Sequence, residues 1–167
     1  IGPGSYTGVR IGLALLRGLS LVDRVPVVGM GTLELLAAAA PGSEGRICAF
    51  LDAGAGKVYA AVFARMPESL GEVVAARVLD RSQVAAFVDS EAAGASLVRC
   101  ADEPEVHCGC PVTPVAGSRV AALARIASQR LQRGQGSSAE LVLPLYVGAT
   151  GARPNRNKVV ATSLCDE

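Results

Sequence analysis

Between Thr7 and Val22 the apolar residues Val9, Ile11, Leu13, Leu15, Leu16 and Leu19 cover more than one side of a helical wheel. That pattern predicts a helix over 7–22 that is buried on most sides. Gly2-Pro3-Gly4-Ser5 ahead of it is a tight turn, with Ser5 or Thr7 placed to cap the first turn. Val25-Pro26-Val27-Val28-Gly29-Met30 has the composition of a short buried strand with proline near its start. Thr32 is positioned to cap a second helix over 33–40, which Pro41-Gly42 ends. Helix, strand and helix at this spacing follow the rhythm of an α/β sheet with crossover connections.

After Pro41-Gly42-Ser43-Glu44-Gly45 the pattern changes to β-rich runs. Arg46–Asp52 and Lys57–Arg65 are expected to pair as a hairpin around Ala53-Gly54-Ala55-Gly56, with a third strand over Glu72–Leu79. Ser82 is placed to cap a short helix to Val88, and Ser96–Cys100 is expected to be a strand. Ser118 is placed to cap an amphipathic helix over 119–133, with Val120, Leu123, Ile126, Ala127 and Leu131 on one side. Leu141–Val147 closes the pattern as a strand interrupted by Pro144. The expected organisation is an N-terminal helix–strand–helix unit over 1–42, a C-terminal lobe over 43–148 and a flexible tail over 149–167.

The chain has 167 residues, half of them hydrophobic, which is enough to close a core. With a net charge of +1, no Trp and only three Tyr and three Phe, the chain as a whole is a poor aromatic platform or phosphate clamp for nucleic acid. Five cysteines at irregular spacing make no disulfide framework and fit a reducing cytoplasm. Apolar runs are broken by Arg10, Arg17, Asp23 and Arg24 too early to span a bilayer, and no secretory leader is visible. The chain opens on Ile1 with no initiator Met, as though cut from something longer.

Several segments carry candidate chemistry. In Gly2-Pro3-Gly4-Ser5-Tyr6-Thr7-Gly8, residues Gly4, Ser5 and Thr7 could present N–H groups and hydroxyls to an anion at a helix N-terminus. The plainer alternative is a cramped turn that only feeds the helix. Gly29-Met30-Gly31-Thr32-Leu33-Glu34 matches a dinucleotide fingerprint in part, but Glu34 occupies the third glycine position. Gly54-Ala55-Gly56-Lys57 fails as a phosphate loop, because Leu51 stands at the first glycine and Val58 at the magnesium-binding hydroxyl. His107-Cys108-Gly109-Cys110 gathers soft ligands without the spacing of paired zinc knuckles. A single histidine leaves little for a His-based metal centre or a catalytic triad, and Asp52 with Glu34 would form a carboxylate pair only if the fold joined them. Gly8-x3-Gly12 in an apolar helix lets a second helix approach closely.

The blocks Ile1–Ala14, Gly18-Leu19-Ser20-Leu21, Pro26-Val27-Val28-Gly29, Asp52–Tyr59 and Pro144-Leu145-Tyr146-Val147 closely resemble, in order, the bacterial TsaB (YeaZ) family. The resemblance implies an actin-like, Hsp70-like ATPase superfold of two related ribonuclease H-like lobes, here with the N-terminal lobe truncated. It implies a part in making threonylcarbamoyladenosine beside the tRNA anticodon, as a non-catalytic scaffold for the TsaD subunit, with TsaE joining as an ATPase. It further implies contact with tRNA only through that complex, no cofactor, and a homodimer when TsaD is absent. The expected interface is the helix face of Gly8, Gly12, Leu15, Leu16 and Leu19, with Arg10 and Arg17 as its polar rim. Gly31, Gly54 and Val147-Gly148 depart from the usual Ser, Arg and Leu-Arg of the family. Two other functions remain open: a small nucleotide-binding phosphotransferase using the Gly2–Gly8 loop, and a homodimeric structural domain.

Overall fold

The structure, a computed structural model, describes residues 1–23, 25–42, 44–67, 69–116, 119–148 and 151–152, with Asp23, Gly151 and Ala152 described by backbone alone. Two helices come first, α1 (Tyr6–Asp23) and α2 (Thr32–Ala39). Strands β1 (Gly45–Gly54), β2 (Lys57–Met66) and β3 (Ser69–Asp80) follow, then helix α3 (Val84–Glu91) and strands β4 (Ser96–Cys100) and β5 (Thr113–Val115). Helix α4 (Arg119–Gln132) precedes a small ladder of β6 (Val147–Gly148) and β7 (Gly151–Ala152) set against β3.

The five-stranded sheet has the order β3-β2-β1-β4-β5. β1 to β3 are antiparallel neighbours, while β4 runs parallel to β1 and β5 parallel to β4. Helices cover both faces, so the central strands are apolar on each. Ile47, Ala49 and Leu51 of β1 point with Ala61 and Phe63 toward Leu33, Leu36 and Ala37 of α2. Cys48 and Phe50 point the other way, with Val58, Ala60 and Val62, toward Val84, Phe87 and Val88 of α3. The expected hairpin is present, and Ala55 (φ 51°) with Gly56 (φ 74°) gives it the two left-handed central residues that match strand twist.

Several expected elements take another form. Segment 25–30 is no strand; among the described residues only Val27 forms a bridge, to Ser137, and no strand extends it into a ladder. Leu141–Val147 is likewise not a continuous strand but a 3-10 turn over Ala139–Leu141, extended chain and the short β6. Thr32 begins α2 rather than capping it: Gly31 is the N-cap residue, and its N–H donates to Glu34 Oε2 at 3.3 Å. Ser82 lies inside a 3-10 turn, Arg81–Gln83, that starts after Asp80. β5, which sequence patterning missed, is three residues long and contains Pro114, admissible because it sits at the sheet edge. Ser118 lies outside the described residues, as do 149–150 and 153–167 of the tail expected over 149–167, while Gly151–Ala152 within it forms β7.

The expected all-round burial of α1 is also corrected. Leu13 and Ser20 are buried, and Val9 and Leu16 pack with Val27, Ala139 and Val142 in a small cluster. On other sides Ile11 (63%), Leu15 (64%), Leu19 (64%), Leu21 (74%) and Val22 (82%) stay open to solvent. α2 is different, since its buried side is part of the sheet's own core. From β2, Arg65 fixes the end of α2 by donating to the carbonyls of Ala37, Ala40 and Gly42.

Candidate functional site

The opening loop is held by its own backbone. Gly2 has φ +105°, and a Cβ there would stand 2.9 Å from the Leu145 carbonyl oxygen, so glycine is required. The Thr32 N–H donates to the Gly2 carbonyl at 2.7 Å, and the Leu145 N–H to that of Ile1 at 2.9 Å. Ser5 is the cap of α1: its Oγ accepts the Gly8 N–H at 3.2 Å. Of the anion-binding candidates, Ser5 thus already uses its hydroxyl within the turn, while Gly4 and Thr7 are exposed.

The candidate interface residues lie on α1 as follows. Gly8, Gly12, Leu15 and Leu19 are all exposed, and with Val22 they recur at intervals of four, three, four and three residues. That is the spacing of a helix–helix seam. A Cβ at Gly12 would meet no atom within 4 Å outside the helix's own backbone, so the groove there is open. Leu16, grouped with this stripe by the sequence, turns inward against the small cluster. Arg17, expected on the rim, donates instead to the carbonyls of Ala139 (3.4 Å) and Val142 (3.0 Å). Arg10 is exposed, with its guanidinium 4.9 Å from the Tyr6 ring centroid and Nη1 donating to Tyr6 Oη at 2.5 Å. Tyr6 in turn stacks at 5.4 Å on Tyr146 from the far end of the chain. Ile11, Val22 and this tyrosine pair were missed. Seam spacing alone would have found Val22, whereas nothing local announces Tyr146.

The remaining chemical candidates are dispersed. Glu34 pairs with Arg130 of α4, while Asp52 pairs with Arg81 at 2.8 Å beside the hairpin, so the two carboxylates have separate partners. His107 and Cys110 are exposed, and the Cys108 thiol donates to the Cys110 carbonyl at 3.5 Å. Burial pushes the Cys48 thiol up to about 12, the nearby Cys108 adding to the effect and Arg46 opposing it. Among the described residues no group of three or more His, Cys, Asp or Glu could hold a metal ion. No helix among them is long and apolar enough to cross a membrane.

Known proteins match this frame. The sequence profile of the family described as TsaD, tRNA N6-adenosine threonylcarbamoyltransferase, matches residues 1–128. The tRNA threonylcarbamoyladenosine biosynthesis protein TsaB of Escherichia coli (strain K12) is 44% identical over 66 residues, 38% of this chain and 29% of that protein. Its namesake from Bacillus subtilis (strain 168) is 40% identical over 73 residues, 44% of this chain and 32% of that protein. The matched stretch thus spans about a third of each curated relative. YeaZ from Pseudomonas aeruginosa superposes with a TM-score of 0.66 at 25% identity, covering 87% of this chain and 71% of that one. The sheet order described above, with three antiparallel strands followed by two parallel ones, is that of a ribonuclease H-like lobe. The chain belongs to the TsaD-type threonylcarbamoyltransferase family of actin-like fold, and within it to the TsaB (YeaZ) group.

Proposed function

We propose that the chain serves in the making of threonylcarbamoyladenosine in tRNA as a non-catalytic scaffold that holds a TsaD-like catalytic subunit, an assembly that a TsaE-like ATPase joins. The observation that carries this is the bare seam of α1, where exposed Gly8 and Gly12, the latter facing open space, lead into exposed Leu15, Leu19 and Val22. Small residues let a partner helix come close, and the leucines supply apolar area for it to cover. Arg10 and Tyr6 flank the seam with residue types that concentrate binding energy. The biosynthetic role in the names of the curated relatives supports the pathway.

The test is capture of a TsaD-like subunit by the chain and by its Gly12→Leu variant. A Cβ here would meet no atom within 4 Å outside the helix's own backbone, so, once circular dichroism shows the variant folded, the loss is assigned to the partner. Overpacking of about 1–3 kcal/mol corresponds to roughly ten- to hundred-fold weaker capture. Undiminished capture by folded Gly12→Leu would remove this helix from the interface. A second copy of the chain is the alternative occupant of the same seam. Sedimentation of the chain alone, wild type against Gly12→Leu, separates a homodimer from a partner-specific surface.

A further inference from the structure

A cavity of about 800 Å³ opens between α2, the β2–β3 turn and α4, well away from the seam of α1. Its charged lining among the described residues is Arg65, Arg125, Arg130 and Arg133 against Glu34 alone; Glu68, in the same turn, lies outside the described residues. Arg65, Arg130 and Arg133 are each engaged in part within the chain, the first with the carbonyls at the end of α2 and the second with Glu34. Arg125 is exposed and pairs with no carboxylate among the described residues. Its charge reaches Arg65, which burial first and Arg125 second pull below the ordinary arginine value. A local excess of positive charge therefore sits in a chain of net charge only +1.

Two features narrow the ligand. Arg125 and Gln129 stand four residues apart on one face of α4, and Arg133 follows in the turn just past its end, its N–H still donating to the Gln129 carbonyl at 3.2 Å, so about eight helical rises, roughly 12 Å, separate the outer pair. A single small anion does not span that row, whereas consecutive phosphates do, and guanidinium forks match phosphate oxygens in pairs. No aromatic residue lines the cavity, so it offers no platform on which a base would stack.

We propose that this groove docks the phosphodiester backbone of RNA, reading charge and not sequence. The choice of RNA among polyanions rests on the proposed role in tRNA modification; the groove itself stands independently of α1. With so few cations, binding by the chain alone is weak and salt-dependent, within the range of about 10⁻⁴–10⁻⁶ M typical of non-specific contact.

The experiment measures fluorescence anisotropy of a labelled RNA stem-loop at low salt with the chain, with Arg125→Glu/Arg133→Glu, and with Lys57→Glu. Lys57→Glu changes the charge by as much as Arg125→Glu alone, and by half as much as the double variant, at the opposite end of β2 from Arg65, so the single Arg125→Glu variant, measured alongside, is its matched comparison. The double variant is expected to bind at least about tenfold more weakly, with a salt slope lower by roughly 1 for each phosphate no longer neutralised. Lys57→Glu is expected to bind like the unaltered chain. Should the double variant unfold, Arg125→Gln alone, at an exposed position, is expected to show a smaller loss in the same direction. Equal loss in Lys57→Glu would overturn the proposal, since general charge would then explain binding. So would the absence of RNA binding, or displacement of RNA by inorganic phosphate or polyglutamate as readily as by unlabelled RNA. Because Arg125 lies off α1, capture of a TsaD-like subunit by Arg125→Glu reports separately on the scaffold role.

Discussion

Arg17 Nη2 donates to the Val142 carbonyl at 3.0 Å, joining residues 125 positions apart. With the bond to the Ala139 carbonyl, this one side chain fastens α1 to the last part of the described chain. Hydrogen bonds from a charged donor are worth roughly 1.5–3 kcal/mol each at most, and Arg17 is only half-buried. Arg17→Ala is therefore expected to loosen α1 by about 1–2 kcal/mol while leaving the sheet intact. Hydrogen exchange checks it: amides of Tyr6–Asp23 speed up and those of β1 and β2 do not.

The unaltered chain is itself expected to open in two stages. α1 and segment 25–30 rest on a small cluster around Leu13, Val27 and Val142, whereas Phe50, Val58 and Val62 are wholly enclosed. Amides of β1, β2 and α2 should exchange slowest, those of α1 and 25–30 fastest. α2 belongs with the slow group because Leu33, Leu36 and Ala37 lie under the sheet. Equal protection in α1 and β2 would count against a loosely held α1.

The stability of the fold should fall in alkali through Cys48. Its thiol is raised from 9.0 to about 12 by burial, so the folded chain keeps its proton where the unfolded chain releases it. The stabilisation is complete below about pH 9 and is lost as pH climbs toward 12. Between those limits a single thiol contributes a slope of about 1.4 kcal/mol per pH unit. Urea midpoints of the chain and of Cys48→Ala, measured from pH 8 upward, should converge as pH rises, because the substituted chain lacks this slope.

Where patterning succeeded, each residue's role was decided by near neighbours. The β-rich runs Arg46–Asp52 and Lys57–Arg65, with Ala55-Gly56 between them, specify the hairpin because each strand's partner is next in sequence. Where it failed, the deciding partner was distant. Val25–Met30 is apolar enough for a strand, yet among the described residues its one β-bridge is that of Val27 to Ser137. Leu141–Val147 carries Pro144, and the Val142 carbonyl is taken by Arg17 instead of a ladder. Thr113-Pro114-Val115 escaped notice because a three-residue edge strand needs only the parallel neighbour β4, which periodicity does not reveal. On α1 the spacing placed Gly8, Gly12, Leu15 and Leu19 on one face, while the expected burial on most sides did not hold. The inward turn of Leu16 and Arg17 followed from packing and hydrogen bonds with residues 139–142 that no local pattern encodes.

Two glycines, alike in sequence context as small residues in apolar segments, should respond oppositely to the same substitution. At Gly29 a Cβ would lie 2.9 Å from Val142 Cγ1 and 3.0 Å from Ile1 Cγ2, within the cluster that carries α1. Val142 is buried and β-branched, so its methyl has little freedom to move aside. Gly29→Ala is therefore expected to cost about 1–3 kcal/mol, the range for overpacked cores. At Gly12 the same methyl enters open space on an exposed helical face. There the unfolded chain loses more freedom than the helix does, so Gly12→Ala should stabilise α1 by about 0.5–1 kcal/mol. Chemical denaturation followed by helix circular dichroism distinguishes the two, the midpoint falling for Gly29→Ala and holding or rising for Gly12→Ala. A fall of similar size at both positions would mean that the face of α1 at Gly12 is already covered in solution, as it would be in a dimer of this chain. Repeating the measurement across protein concentration decides that case, because a dimer's midpoint rises with concentration and a monomer's does not.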